Sequence, residues 1–278
     1  MIKTSIFALF KNQMALEHHS NHQMRFDQQV ENARNYVLPF IETSLPIVKG
    51  IKVLEIGCGE GGVLKPFFER GCECVGVDLD QPRIDLAHVF LKNEIASGQM
   101  HIMNQNVYDE AFLNKYSGYF DLIVLKDVIE HIHGQEDFIP FMKKLLKEKG
   151  QIFFGFPPWY MPFGGHQQIA KKKWTSKIPY YHLLPMGVYK WILKTAGEGQ
   201  HAIDSLVDVK QTGISIERFE RICKQAGYTI VNKQWFLFNP IYKYKFGLEP
   251  RKQFWLFGAI PFVRNFLTTC AYYTIQKD

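Results

Sequence analysis

Val53-Leu54-Glu55-Ile56-Gly57-Cys58-Gly59-Glu60-Gly61-Gly62 decides the fold. An apolar run breaks at a glycine-rich turn and resumes at Val63 and Leu64, the pattern of a buried strand that opens into a helix. Glycines 57, 59 and 62 fit a G-x-G-x-x-G spacing. The missing side chains permit a tight turn and let a ligand lie on bare backbone at a helix N-terminus. On spacing alone, plain strand-to-helix punctuation explains the turn equally well.

Working outward, a helix over 62–70 leads to a second apolar strand, Cys74-Val75-Gly76-Val77, that ends in Asp78. A carboxylate about twenty residues past such a turn can bind both hydroxyls of a ribose. Glu55, inside the first strand, disfavours a nicotinamide cofactor, because a pyrophosphate nearby would repel a second negative charge. A cationic ligand suits it.

Three segments in this order carry a resemblance: Val53 to Gly59, Val75-Gly76-Val77-Asp78-Leu79-Asp80, and Phe120-Asp121-Leu122-Ile123-Val124-Leu125-Lys126-Asp127-Val128-Ile129-Glu130-His131. Together they resemble the class I S-adenosylmethionine-dependent methyltransferases, in particular the small-molecule branch that includes the ubiquinone-biosynthesis O-methyltransferases. The likeness runs in register over residues 30–156 and is one of outline elsewhere. It implies an α/β fold with a Rossmann-like seven-stranded sheet, helices on both faces and an inserted lid. It also implies S-adenosylmethionine as cofactor, held by Glu55, Gly57, Cys58, Gly59, Asp78, Leu79, Asn106, Val107 and Lys126, with Arg34 on the methionyl carboxylate. Asn106 stands where the family often has an acid beside the adenine, and an amide can still meet the base's amino group and ring nitrogen.

The chain has 278 residues and 46% hydrophobic content, which supports one large core with room for insertions. Five cysteines without C-x-x-C or metal-like spacing read as reduced thiols of a cytoplasmic protein. Ile6 to Phe10 is too short for a signal-peptide core, and no run reaches the eighteen or so apolar residues of a membrane span. A formal charge of +6 is mild, and the lysine clusters at 143–149 and 171–173 read as solvated faces. With no nucleic-acid module beside them, no nucleic-acid partner is expected. His18, His19 and His22 lie in an N-terminal arm whose spacing does not support zinc.

Apolar residues at Val30, Ala33, Val37, Ile41 and Leu45 predict a helix over 26–45, kinked at Pro39. Further helices are expected from Pro82 to Ile95 and from Gln135 to Glu148, the latter stopped by Gly150, with strands over 101–105, 120–125 and 151–156. Alternating strands and helices require a parallel sheet. The alternation breaks at Pro157. An aromatic, proline-studded segment over 157–213 leaves the ligand-binding edge of the sheet and reads as a lid over an acceptor pocket, with Gly164 and Gly165 as its hinge. A dimer contact is the alternative, since aromatics also crowd interfaces. A helix over 215–226, a strand over 228–238, a second aromatic insertion over 239–265 and a last strand over 268–275 complete the chain, its final strands forming an antiparallel closing pair by resemblance.

Methyl transfer from a sulfonium needs alignment and exclusion of water more than catalytic side chains, and positioning alone can lower a barrier by roughly 7–11 kcal/mol. A hydroxyl acceptor adds one requirement, a base or metal to take its proton. His131, following the fourth strand, and His166 of the lid are the catalytic candidates, with His182 behind them; each is also an ordinary structural histidine until geometry says otherwise. Asp127, Glu130 and His131 resemble an acid-x-x-Glu-His pattern that can hold a divalent cation in the ubiquinone-type enzymes, but Glu130 could equally cap a helix, and no metal is expected. The expected function is S-adenosylmethionine-dependent methylation of a small or medium-sized acceptor, with oxygen as nucleophile. The alternatives are a non-catalytic S-adenosylmethionine-binding protein and a Rossmann oxidoreductase. Contact of the lysine-rich lid with a membrane surface is a further option, for which no clean amphipathic helix speaks.

Overall fold

The computed structural model describes residues 21–172 and 174–277. His18, His19 and Lys173 therefore lie outside the described residues. Helix α1 (His22–Asn32) starts at Asn21, whose side chain accepts from the backbone N–H of Met24. It passes through a π-helical turn, Ala33–Val37, into α2 (Leu38–Glu42), with Pro39 in the first turn. Pro39 has no N–H to give the helical ladder, and the ladder widens just ahead of it, which is the form the expected kink takes.

Beyond α2 the chain alternates as the apolar pattern requires. Strand β1 (Lys52–Ile56) leads through the glycine turn to α3 (Leu64–Glu69), then β2 (Glu73–Asp78), α4 (Gln81–Phe90), α5 (Lys92–Ala96), β3 (Met100–Asn104), α6 (Glu110–Tyr116) and β4 (Phe120–Lys126). Helix α7 (Gln135–Phe141) and strand β5 (Leu146–Phe156) follow. Strands β1 to β5 pair in parallel. Strand β8 (Cys270–Lys277) runs antiparallel between β5 and β6 (Tyr228–Phe238). A two-residue strand β7 (Arg251–Lys252) adds an edge to β6, so the described residues form an eight-stranded sheet, β3-β2-β1-β4-β5-β8-β6-β7. The strand order reverses between β1 and its two neighbours β2 and β4, and such reversals open the ligand crevice of doubly wound sheets.

Period-two alternation sorts the strands onto two cores. Leu54, Ile56, Ile123 and Leu125 face one side, against Phe138 and Phe219. Val53, Leu122, Val124 and Phe153 face the other, under α1 and α3 with Phe26, Val30 and Phe67. Each large side chain buried in this way contributes about 1.5–3 kcal/mol. Glu55 shares its side of β1 with Val53, which puts a carboxyl group into the second core.

Two expectations are corrected. The helix expected over 135–148 ends at Phe141, followed by one 3-10 turn, because Pro140 lies inside it and cannot sustain the ladder. Gly150 is therefore not a helix stop; it lies within β5, where the register against β4 shifts. Residues 157–213 do leave the sheet at the end of β5, but they carry a small core of their own. It is built on α8 (Met186–Thr195) and α9 (Gln200–Thr212), with Tyr181, Tyr189, Leu193, Ile203 and Leu206. Gly164 and Gly165 are close-packing positions there: a Cβ at Gly164 would lie 2.2 Å from the Trp159 carbonyl oxygen, and one at Gly165 2.4 Å from the Cβ of His182. Among the described residues no helix is long and apolar enough to cross a membrane.

His182 fastens this segment. Its Nε2 bonds the Trp159 carbonyl at 2.9 Å, which can only accept, so Nε2 carries the proton and Nδ1 accepts from Gln167 Nε2 at 3.0 Å. Burial pushes its pKa down to about 4. The unfolded chain then takes up the proton first, so this contribution to stability is full above about pH 6.5 and is lost as the pH falls toward 4. Between pH 7 and pH 5, wild type should lose about 2 kcal/mol relative to His182→Gln. Paired thermal melts at the two pH values measure it, and a pH-independent gap between the two proteins would refute it.

Candidate functional site

One wall of the crevice is the glycine turn. Gly57 and Gly59 have φ of +72° and +53°, a left-handed backbone that glycine adopts without strain. The N–H groups of Gly57 and Cys58 donate to the Val77 carbonyl at 2.8 and 3.0 Å, tying the turn to the end of β2. A Cβ on Gly57 would sit 2.6 Å from Val128 Cγ2, and one on Gly59 2.8 Å from the guanidinium carbon of Arg83. The turn is thus bare backbone pressed between the loop after β4 and the start of α4. Cys58 is buried, and burial pushes its thiol well up, so its side chain is a packing group.

Asp78 closes this wall. One carboxylate oxygen accepts from the Gly59 N–H at 2.8 Å and the other from the Asp80 N–H at 2.9 Å. Asp80 caps α4, accepting from the Arg83 N–H. Leu79 stands 71% exposed beside it. At the end of β3, exposed Asn106 accepts from the Tyr108 N–H, while the side chain of Val107 joins the core.

Glu55 lies beneath the turn, 2% exposed, and its Oε2 has no hydrogen-bond partner. Burial first, and the charge of Asp78 second, raise its pKa well above the usual range, so the carboxyl is held neutral here. An orphaned buried acceptor is what a cationic ligand above the turn would satisfy. The residues present fit S-adenosylmethionine.

The structure does not bring Arg34 to the turn. It pairs with Glu31 and, at 2.8 Å, with Glu69 at the far end of α3, in exposed positions. Arg25, more than two helical turns earlier, reaches the turn instead: it bonds fully buried Glu60, which also takes Arg83 Nη2 at 3.1 Å and lies 3.4 Å from His22 Nδ1. Arg25, Glu60 and Arg83 escaped the sequence reading. Only the placement of Glu60 within the glycine turn could have drawn attention to them.

The opposite wall follows β4. The ammonium of Lys126 is buried and bonds Asp127. Burial opposes its charge, but the adjacent Asp127 carboxylate outweighs that and raises its pKa. Asp127 sits at φ +57°, a conformation that costs a non-glycine residue about 1–3 kcal/mol and clusters at functional sites. In the following 3-10 turn Ile129–His131, Glu130 is 2% exposed with both carboxylate oxygens unpartnered, and burial followed by Asp127 raises its pKa well above normal. His131 faces His166 from the inserted segment, ring centroids 4.9 Å apart at 63°. Burial lowers the pKa of His131, and burial together with His131 lowers that of His166 to about 4, so both rings are neutral near pH 7. Ligand atoms of Glu130, His131 and His166 all lie within 4.8 Å of one another.

The second insertion contributes a roof, also missed from sequence. Helix α11 (Ile241–Phe246) packs on α1, where Tyr244 accepts from Gln28 through its carbonyl and from Asn35 through its hydroxyl. Lys245 of α11 interacts with Asp127, and burial brings its pKa down to about 8. The two walls therefore meet at the Gly57–Val128 contact, an acid-base set on one side and a cation-ready cradle on the other.

Residues 22–233 match the family model of a methyltransferase domain, which is most of the chain. The ubiquinone biosynthesis O-methyltransferase of Leptothrix cholodnii is 20% identical over 204 residues, covering 73% of this chain and 75% of that protein. The enzyme of the same description from Coxiella burnetii is 32% identical over 117 residues, spanning 42% of this chain and 47%, about half, of its own length. Among solved structures, the geranyl diphosphate C-methyltransferase of Streptomyces coelicolor, determined with Mg2+, geranyl diphosphate and S-adenosylhomocysteine, superposes with a TM-score of 0.52 at 12% identity, over 97% of this chain and 84% of that one. With a glycine cradle, an orphaned carboxyl group and a doubly wound sheet reversed at β1, the chain belongs to the methyltransferase-domain family and is an S-adenosylmethionine-dependent methyltransferase.

Proposed function

We propose that the protein methylates a hydroxyl oxygen of a small or medium-sized acceptor seated between His131, His166 and the roof of α11. The observation that carries this reading is the neutral His131–His166 pair over the loop whose Val128 touches the glycine turn. S-adenosylmethionine supplies an activated methyl group when bound. The backbone of Gly57, Cys58 and Gly59 would line its site. Glu55 would face its cationic end, Asp78 would offer its remaining lone pairs to the ribose hydroxyls, and Leu79 with Asn106 would border the adenine. Val107 would frame that edge from the core, and Lys126, bonded to Asp127, would hold that acid beside the cofactor. His131 would take the proton that the acceptor hydroxyl gives up as it gains the methyl group. His166 orients the His131 ring and excludes water on the lid side.

The test is turnover with S-adenosylmethionine and a panel of catechols, phenols, amines and thiols, read by S-adenosylhomocysteine release and by product mass. A methyl group gained only on hydroxyl-bearing acceptors is expected. Transfer confined to amines or thiols would refute the oxygen assignment while leaving the methyltransferase itself intact.

A further inference from the structure

The segment after β7 is built inside out. No aspartate or glutamate occurs between Glu249 and Asp278. The chain folds there into two short helices, α12 (Trp255–Gly258) and α13 (Val263–Phe266). Phe254 is 56% exposed, Trp255 82%, Leu256 54% and Phe262 64%, with Ile260 and Val263 also in water. Scattered exposed apolar residues need no explanation, but a run this dense does.

The polar groups of the same segment point inward. Arg264 bonds Glu217 at 2.8 Å and Glu220 at 3.3 Å, both on α10 (Ile216–Gln225), and lies 4.6 Å from the ring centroid of Trp235. Asn265 donates to Glu217 at 2.6 Å and accepts from the Ile216 N–H at 2.8 Å. Phe262 sits at φ +64°, unfavourable for a bulky residue, and its N–H donates to Glu217 at 2.9 Å. A half-buried ion-pair and hydrogen-bond network, which offsets the backbone strain at Phe262, thus holds aromatic rings in solvent on a fixed platform. Phe266 continues this ledge to the inserted segment, 5.6 Å between ring centroids to Tyr160 and 6.1 Å to Tyr180. Exposed Arg251 and Lys252 border it at β7.

We propose that this ledge docks on the surface of an anionic phospholipid bilayer. Tryptophan and phenylalanine beside basic residues match the depth and charge of a lipid headgroup layer, with the rings at the acyl boundary and Arg251 and Lys252 toward the phosphates. A second copy of the chain fits less well, because an isologous contact brings like-charged edges together. This goes beyond the methyl-transfer reading and does not depend on which acceptor is used.

Co-sedimentation of the full chain with vesicles of phosphatidylcholine alone, or mixed with phosphatidylglycerol, tests it. Binding to the mixed vesicles is expected, weakened at least tenfold by Trp255→Ser/Phe262→Ser, and by about fivefold per charge in Arg251→Gln and Lys252→Gln. An unchanged S-adenosylhomocysteine melting shift in each variant verifies that it is folded. The proposal is overturned if wild type does not sediment with the mixed vesicles or if the double variant binds as wild type does. A wild-type dimer in light scattering that the double variant dissociates would equally overturn it, by assigning the ledge to a second copy.

Discussion

His131→Ala is expected to lower methyl transfer to a hydroxyl acceptor by about 10²–10⁴ while changing S-adenosylhomocysteine affinity less than threefold. That loss corresponds to about 2.7–5.4 kcal/mol of transition-state stabilisation. Both imidazoles face the same gap, but they differ as bases. The ring of His166 is pushed to about 4, which leaves it weakly basic at neutral pH, whereas His131 is lowered with Asp127 and Asp208 opposing the effect of burial. His166→Ala should therefore cost less than His131→Ala. In wild type, turnover should rise as the pH climbs through the lowered pKa of His131, and His131→Ala should lack that limb. If the variant keeps turnover within tenfold of wild type, the base lies elsewhere, and Lys245, facing Asp127 from α11, is the next group to replace. If chelation abolishes wild-type turnover and a divalent ion restores it, Glu130, His131 and His166 act as ligands and the hydroxyl is activated by the metal.

S-adenosylhomocysteine at about 100 times its Kd should stabilise the folded protein by about 2.7 kcal/mol and raise Tm by several degrees. NADH should leave the melt unchanged. Asp78→Ala should reduce the affinity at least tenfold, because a charged acceptor beside ribose hydroxyls is lost and each such bond contributes about 1.5–3 kcal/mol. Asp78 also receives the N–H groups of Gly59 and Asp80, so part of the loss is a turn no longer held in place. Asp78→Asn separates the two effects only in part, since its one carbonyl oxygen can keep the Gly59 N–H while its NH2 group then faces the Asp80 N–H. Asp80→Ala, which removes only the helix cap, is the control and should bind normally. Isothermal titration decides the matter: equal losses at both positions would place the ribose contact elsewhere.

Local chemistry made part of this protein legible in the chain itself. The strand–glycine turn–helix at 53–64, the acid at the end of β2 and the parallel alternation through β5 depend on apolar periodicity and on glycine's backbone freedom, both of which act over a few residues. Glu55 could be picked out as a carboxyl group in a buried strand for the same reason. Its missing hydrogen-bond partner could not, because that depends on what α1 and α3 bring over it.

Arg34 and Arg25 show where sequence reading ends. Both lie on one helical stretch, and at 100° per residue any small shift of phase changes which side chain meets the turn. The docking of α1 on Gly62, where a Cβ would lie 2.8 Å from the Phe26 carbonyl, selects Arg25, and Arg34 is left to Glu31 and Glu69. The inserted segment was visible as a break in the alternation at Pro157, yet the meeting of His166 with His131 and the burial of His182 follow from how its own small core seats on the sheet edge. The roof over the crevice and the aromatic ledge are likewise tertiary outcomes, since nothing in an aromatic-rich insertion tells which rings turn inward. The strands, the glycine cradle and the resemblance to a cofactor-binding family follow from local patterns in the chain. Only the tertiary structure decided which arginine, which histidines and which lysine converge, because side chains distant along the chain become neighbours through packing and not through any local pattern.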